Sequence, residues 1–245
     1  MESIVLFYLL LLLVAFFYAS VGHGGASGYL ALMAIFSIAP EVMKPTALLL
    51  NLFVSLIAFI QFNRGGHFKP SLFLPFALGS VPLSFVGGLI LIDGIVYKHI
   101  LGLLLLIPIV RFLFFRNIES NHLRSPNILL AFLIGSGIGF LSGLIGIGGG
   151  ILLSPIVLLM SWADQKQTAA ISALFIFVNS LAGLSGQLIT GVHFSTDMYL
   201  YVLVALVGGI GGAYLGARRF QQSRLKNVLA LVLLVAALKL LFTKA

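Results

Sequence analysis

The sequence predicts an all-α polytopic membrane protein made of two inverted repeats, each a glycine-broken re-entrant hairpin plus three transmembrane helices. Three observations carry this expectation. The 245 residues are 60% hydrophobic and 8% charged, with a mean hydropathy of +1.17, whereas a soluble domain spends about 25% of its residues on charge to build a hydrated shell. Apolar runs extend from one end of the chain to the other, so no water-soluble domain separates out. Motifs from the first half also return, in the same order, in the second. At about 20 apolar residues per crossing, the length holds roughly seven to ten membrane segments.

The apolar runs lie at 4–21, 29–39, 45–62, 71–92, 95–115, 127–145, 151–161, 167–189, 198–217 and 225–242. The first lacks the basic leader of a signal peptide, since Glu2 is its only early charge, and reads as structure. Eight runs are long enough to span. Those at 29–39 and 151–161, near 11 residues each, are too short for a hydrocarbon core of about 30 Å. An unbroken helix over 4–39 would be about 54 Å long, too long to cross once. Each short run follows a glycine cluster, Gly22-His23-Gly24-Gly25-Ala26-Ser27-Gly28 or Gly146-Ile147-Gly148-Gly149-Gly150. Glycine weakens helix interiors and permits turns closed to other residues. Segments 4–39 and 127–161 are therefore predicted to be hairpins, each a helix, a glycine turn inside the membrane and a short helix. The polar stretch 116–126 is the predicted linker between an N-terminal repeat, 1–115, and a C-terminal inverted repeat, 127–245.

Three matches support the repeat. Gly22-x-Gly24-Gly25 returns as Gly146-x-Gly148-Gly149, Gly65-x-His67-Phe68 as Gly191-x-His193-Phe194, and Ser80, Ser84 and Gly88 as Gly208, Gly212 and Gly216. The offsets are 124, 126 and 128, a drift that small insertions explain. Internal repeats with paired glycine-interrupted segments are a feature of secondary transporters, and the interruptions point to the binding site.

Basic residues choose between topologies. If all eight long runs cross and the short helices merely extend their predecessors, Lys and Arg divide seven against seven. If 4–39 and 127–161 instead enter and leave by one face, Arg64, Lys69, Arg111, Arg116, Arg124, Lys166, Arg218, Arg219, Arg224 and Lys226 share a side. Only Lys44, Lys98, Lys239 and Lys244 oppose them, ten against four. That asymmetry is expected when the basic side is cytoplasmic. Each half then crosses three times, so the halves are inverted and both termini lie outside. The net charge of +8 thus speaks to orientation in a bilayer and not to nucleic acid. The chain has no cysteine, which excludes disulfides, thiolate metal sites and cysteine nucleophiles. No cofactor or metal is expected.

The glycine turns suggest the chemistry. A non-helical backbone at membrane depth leaves N–H and C=O groups unpaired, which is tolerable only where they are buried in protein or line a wet cavity. The second helix of each hairpin begins at its turn, so its unpaired N–H groups and about half a positive charge face inward. Glycine lets a ligand approach such groups closely, which makes a small-anion site. The candidate residues are Gly22, His23, Gly24, Gly25 and Ser27 in the first turn and Gly146, Gly148, Gly149 and Gly150 in the second. Asn51 and Asn179 join them as polar residues in the matching spans 45–62 and 167–189, where cavity lining competes with interhelical bonding. Ser55 and Ser180 correspond at an offset of 125. Glu2, Glu41, Asp93, Glu119, Asp164 and Asp197 all fall at segment ends or in loops, which argues against a carboxylate relay or a cation substrate. His23 is the one ionisable residue in a glycine turn, able to pair with an anion or carry a coupling proton, although Ile147 occupies the equivalent place. His67 and His193 read as interfacial turn residues, His99 and His122 as solvated, and Gly208, Gly212 and Gly216 as packing residues.

The paired Gly-x-Gly-Gly elements, the two halves of about 120 residues with their polar linker, and the stretch Asn179-Ser180-Leu181-Ala182-Gly183 resemble the sulfite exporter TauE/SafE family. The resemblance covers nearly the whole chain. It implies a bacterial inner-membrane carrier that moves sulfite, organosulfonates or related small sulfur-containing anions, usually outward. The first turn differs from the second in carrying His23 and in having Ala26 where the other has Gly150. Two alternatives stand beside the carrier. One is a passive anion channel with the same helix-end filter. The other is an intramembrane serine protease, because Gly25-Ala26-Ser27-Gly28 fits a Gly-x-Ser-Gly pattern and His99 offers a base. A serine nucleophile needs its base within hydrogen-bond reach, whereas Ser27 is expected to lie deep and His99 at an interface.

Overall fold

The computed structural model describes residues 2–114, 123–192, 194, 196–218, 234 and 237–242. His193, most of the linker and most of the last apolar run fall outside them. The architecture is helical throughout: α1 (Glu2–Ser20), α2 (Ala26–Ile35), α3 (Pro40–Arg64), α4 (Pro70–Leu89), α5 (Gly94–Phe114), α6 (Ile128–Ile145), α7 (Gly150–Leu159), α8 (Gln165–Ile189) and α9 (Thr196–Arg218). Among the described residues, five helices, α3, α4, α6, α8 and α9, are long and apolar enough to cross a membrane. Leu6, Leu9, Leu78, Val86, Leu103, Leu133 and Val207 lie exposed on the outer surface, as expected where lipid replaces water as solvent.

The starts and stops have local causes. Pro40 and Pro70 open α3 and α4 at positions where the missing N–H would be unpaired in any case. Asn127 caps α6 by accepting from Leu130 N–H at 3.0 Å. Asp164 and Gln167 form a reciprocal capping box on α8. The breaks after α1 and α6 are the glycine clusters, with Gly22, Gly25, Gly146, Gly148 and Gly149 in the left-handed region at φ +76 to +101°. An L side chain adopts that conformation only with strain.

Both broken segments fold back on themselves. The Phe36 ring just past α2 packs on Phe7 near the start of α1, with centroids 5.2 Å apart. In the second hairpin, Arg124 N–H ahead of α6 donates to Ser161 O just past α7 at 2.8 Å. The two hairpins open at different places. Gly94, at the start of α5, sits against Pro40 and Glu41 as the chain leaves the first hairpin. The second opens beside residues 68–72, where α4 begins.

Helix pairing joins the halves. The most extensive contacts are α4 on α6 and α1 on α9, followed by α4 on α8, α3 on α8 and α3 on α9. Exchanging α1–α4 for α6–α9 leaves this pattern unchanged, since α4 on α6 becomes α9 on α1. Both main pairs are backbone-tight. Gly135, Gly139 and Gly143 press on the carbonyls of Phe76, Ser80 and Ser84, while Gly208, Gly212 and Gly216 press on those of Leu12, Phe16 and Ser20. The small-residue stripe of the sequence is therefore a packing face, as membrane helices without a hydrophobic drive require.

Candidate functional site

Register brings the two glycine turns to one place. Helices α3 and α8 start and end 125 residues apart, so Asn51 and Ile176 occupy the same position on each. They sit side by side between the turns. A Cβ on Gly24 would strike Asn51 Oδ1 and stand 2.8 Å from Ile176 Cγ2. One on Gly148 would strike Asn51 Nδ2 and stand 3.0 Å from Ile176 Cγ2 and 3.3 Å from Ser180 Oγ. One on Gly150 would also strike Ile176 and stand 3.1 Å from Ser172 O. Around this centre each turn rests on the other half: Gly22 presses on Ala169 of α8, and Gly146 on Lys44 of α3.

Asn51 is fully buried and uses both ends of its amide. Its Oδ1 accepts from Ala26 N–H, the first residue of α2, at 3.1 Å. Its Nδ2 donates to Ser180 Oγ at 3.2 Å. Other N–H groups in the turns are unclaimed. Among the described residues no acceptor faces the N–H of Gly24, Gly25, Ser27 or Gly28, nor those of Ile147, Gly148, Gly149, Gly150 or Ile151. All of these residues are buried. Buried backbone donors are normally paired, so a cluster of free ones beside two helix N-termini forms a field that suits negative charge.

His23 bridges the halves. Its Nδ1 faces Val21 O at 3.0 Å and its Nε2 faces Ser154 Oγ at 2.9 Å. Ser154 Oγ in turn lies 2.7 Å from Ser172 Oγ and 2.8 Å from Gly150 O. A carbonyl only accepts, so Nδ1 must carry a proton. In the neutral imidazole Nε2 is then an acceptor and takes the single Ser154 proton, leaving Gly150 O without it. In the imidazolium Nε2 donates, and the Ser154 hydroxyl is free to donate to Gly150 O. One hydroxyl rotation thus links the charge on His23 to a carbonyl of the second glycine turn.

Other candidates fall elsewhere. Ser27 Oγ donates to Tyr18 OH at 2.9 Å, so its side chain binds α1 while its N–H stays at the turn. Asn179 Nδ2 donates to Phe175 O of its own helix at 2.8 Å, and its Oδ1 is buried without a partner. Gly25 backs onto the Tyr29 ring and Gly149 onto Ile138 and Phe175. His99 is exposed and its Nδ1 faces Ile95 O, so it forms no pair with Ser27. Glu41 and Asp197 lie in the first turns of α3 and α9, Asp93 accepts from Ile95 N–H at 2.7 Å and Asp164 caps α8. Ile176 and Ser154 were not among the residues expected. The 125-residue offset that pairs Ser55 with Ser180 pairs Asn51 with Ile176, and Ser154 is a lone hydroxyl one turn past Gly150.

The sequence profile described as Sulfite exporter TauE/SafE matches residues 7–240. The chain belongs to the TauE/SafE family. Among relatives, it is 36% identical over 233 residues to the probable membrane transporter protein y4hK of Sinorhizobium fredii, covering 94% of each chain. It is 28% identical over 241 residues to the probable membrane transporter protein YjnA of Bacillus subtilis, covering 90% of this chain and 92% of that one. A shorter match, 32% over 74 residues, reaches sulfite exporter TauE/SafE family protein 1 of Arabidopsis thaliana, covering 30% of this chain and 16% of the plant protein. No solved structure matches. TauE/SafE membership bears out the resemblance read from the glycine motifs and makes the chain a polytopic membrane transporter.

Proposed function

We propose that this TauE/SafE protein is a secondary carrier that exports a small sulfur-containing anion, sulfite or a sulfonate, across a bacterial inner membrane. The anion binds between the two glycine turns, and access alternates as the halves rock about them. One observation carries the reading: two helix N-termini with unclaimed amides meet on either side of Asn51 and Ile176. Gly24, Gly148 and Gly150 supply close backbone approach, Asn51 holds the start of α2 in place, and His23 is the seat of a coupling proton through Ser154. The sulfur preference follows from the family description.

The inverted arrangement belongs to the same proposal, with repeats 1–115 and 127–245, the basic face cytoplasmic and both termini periplasmic. The different openings of the two hairpins and the exchangeable helix contacts support it. A channel is the weaker reading, because it needs a continuous wet path and both turns are sealed by protein. A serine protease is weaker still, since the Ser27 hydroxyl is engaged by Tyr18. The protein in proteoliposomes loaded with sulfite, taurine or chloride tests the proposal. Saturable sulfite or taurine efflux that accelerates under an imposed pH gradient is expected, with chloride far slower. Equal and non-saturating flux of all three would overturn it.

A further inference from the structure

A cavity of about 400 Å³ lies away from the glycine turns, where the α3–α4 connection meets the mouth of the second hairpin. Lys69, Ser71 and Arg124 supply its polar wall, Phe68, Leu72 and Trp162 its main apolar surface, and among the described residues no carboxylate lines it. Trp162, the one tryptophan of the chain, is 6% exposed, with its ring 6.1 Å from Phe76. The start of α4, the approach to α6 and the end of α7 converge here. In a membrane transporter such a convergence of helix ends marks the level of the lipid headgroups, where tryptophan and basic side chains anchor.

We propose that this cavity binds the headgroup of an anionic phospholipid. The phosphodiester sits between the Lys69 ammonium and the Arg124 guanidinium, with Ser71 as a neutral donor, and the glycerol and upper acyl carbons lie along Phe68, Leu72 and Trp162. Charge complementarity selects an anionic headgroup over a zwitterionic one. The apolar wall selects a lipid over a free inorganic anion, which would gain nothing from it. The Arg124 N–H to Ser161 O bond closes the mouth of the second hairpin, so an occupied cavity braces that mouth against α4.

The test uses the full chain purified in detergent with a mixture of phosphatidylglycerol and phosphatidylcholine, read by native mass spectrometry. The charge-neutral pair K69Q/R124Q is compared with R64Q/K166Q, which removes two cations that do not line the cavity. Wild type is expected to retain one phosphatidylglycerol in preference to phosphatidylcholine. K69Q/R124Q should lower that retention by about tenfold or more, the scale of two basic residues near anionic lipid, while R64Q/K166Q stays within about twofold of wild type. Size-exclusion profiles establish that both variants fold. Equal loss in the two variants would overturn the proposal by reducing it to a general surface-charge effect. Displacement of the lipid by millimolar inorganic phosphate, or equal retention of both lipids by wild type, would overturn it as well.

Discussion

Asn51 ties the first turn to α8 through both ends of one amide, and Gly24 and Gly148 admit it only because they lack side chains. Valine at either glycine would place branched carbons inside Asn51 and Ile176. At Gly148 it would also force a β-branched residue to φ +76°, a strain of order 1–3 kcal/mol. G24V and G148V are therefore expected to insert and to reduce efflux in proteoliposomes to background; wild-type flux from both would remove the turns from the pathway. Ser154 yields a different expectation. S154A keeps the helix but severs His23 from Gly150 O, so flux should persist and lose its dependence on pH. Loss of flux at every pH would instead assign the hydroxyl to binding. The turns and Asn51 were legible in the sequence because glycine and an amide inside a membrane each carry a steric or energetic signature. Ile176 carries none, since an isoleucine among isoleucines shows its place only once α3 and α8 are set in register. The hydrogen-bond partners of Ser27 and Asn179 were not legible for a related reason. Composition gives a residue's depth, but helix phase sends Ser27 back onto Tyr18 and turns the Asn179 amide onto Phe175.

At the scale of elements, glycine serves two separate ends. In the hairpins it ends helices, and in α6 and α9 it lets them touch a neighbour's backbone. The two uses differ in what substitution does. Gly143 presses on the Ser84 carbonyl, whereas a Cβ at Gly137 of the same helix meets nothing within 4 Å. G143L should separate α4 from α6 and lower stability by at least about 2 kcal/mol, as overpacked contacts do. G137A should be neutral or stabilising by up to about 1 kcal/mol. Thermal denaturation in detergent, followed by intrinsic fluorescence, compares the two. Equal losses would mean that glycine acts in α6 through helix propensity alone. The helix breaks themselves were readable because a 36-residue apolar stretch interrupted by glycine has no single-crossing solution.

For the whole molecule, the native absence of cysteine makes topology directly measurable. A39C, beyond the first hairpin, and S125C, before the second, replace exposed residues. Under the inverted reading a membrane-impermeant maleimide added to intact cells should label A39C at once and S125C only after permeabilisation. Labelling of both from the same side would discard the inversion. Residue counts alone pointed to this arrangement, because ten basic residues against four bear on sidedness, while the partner of each helix waited on packing. Exchanging the halves of such a molecule would convert its inward-facing form into its outward-facing form. With identical halves the two forms would be equally populated at rest. Any preference for one of them has to originate where the duplicated copies have diverged, and the divergences at the turns include Asn51 against Ile176, His23 against Ile147 and Ala26 against Gly150. On the proposed function, the residues beside the anion pocket are thus also the ones that set which door stands open when no cargo is present.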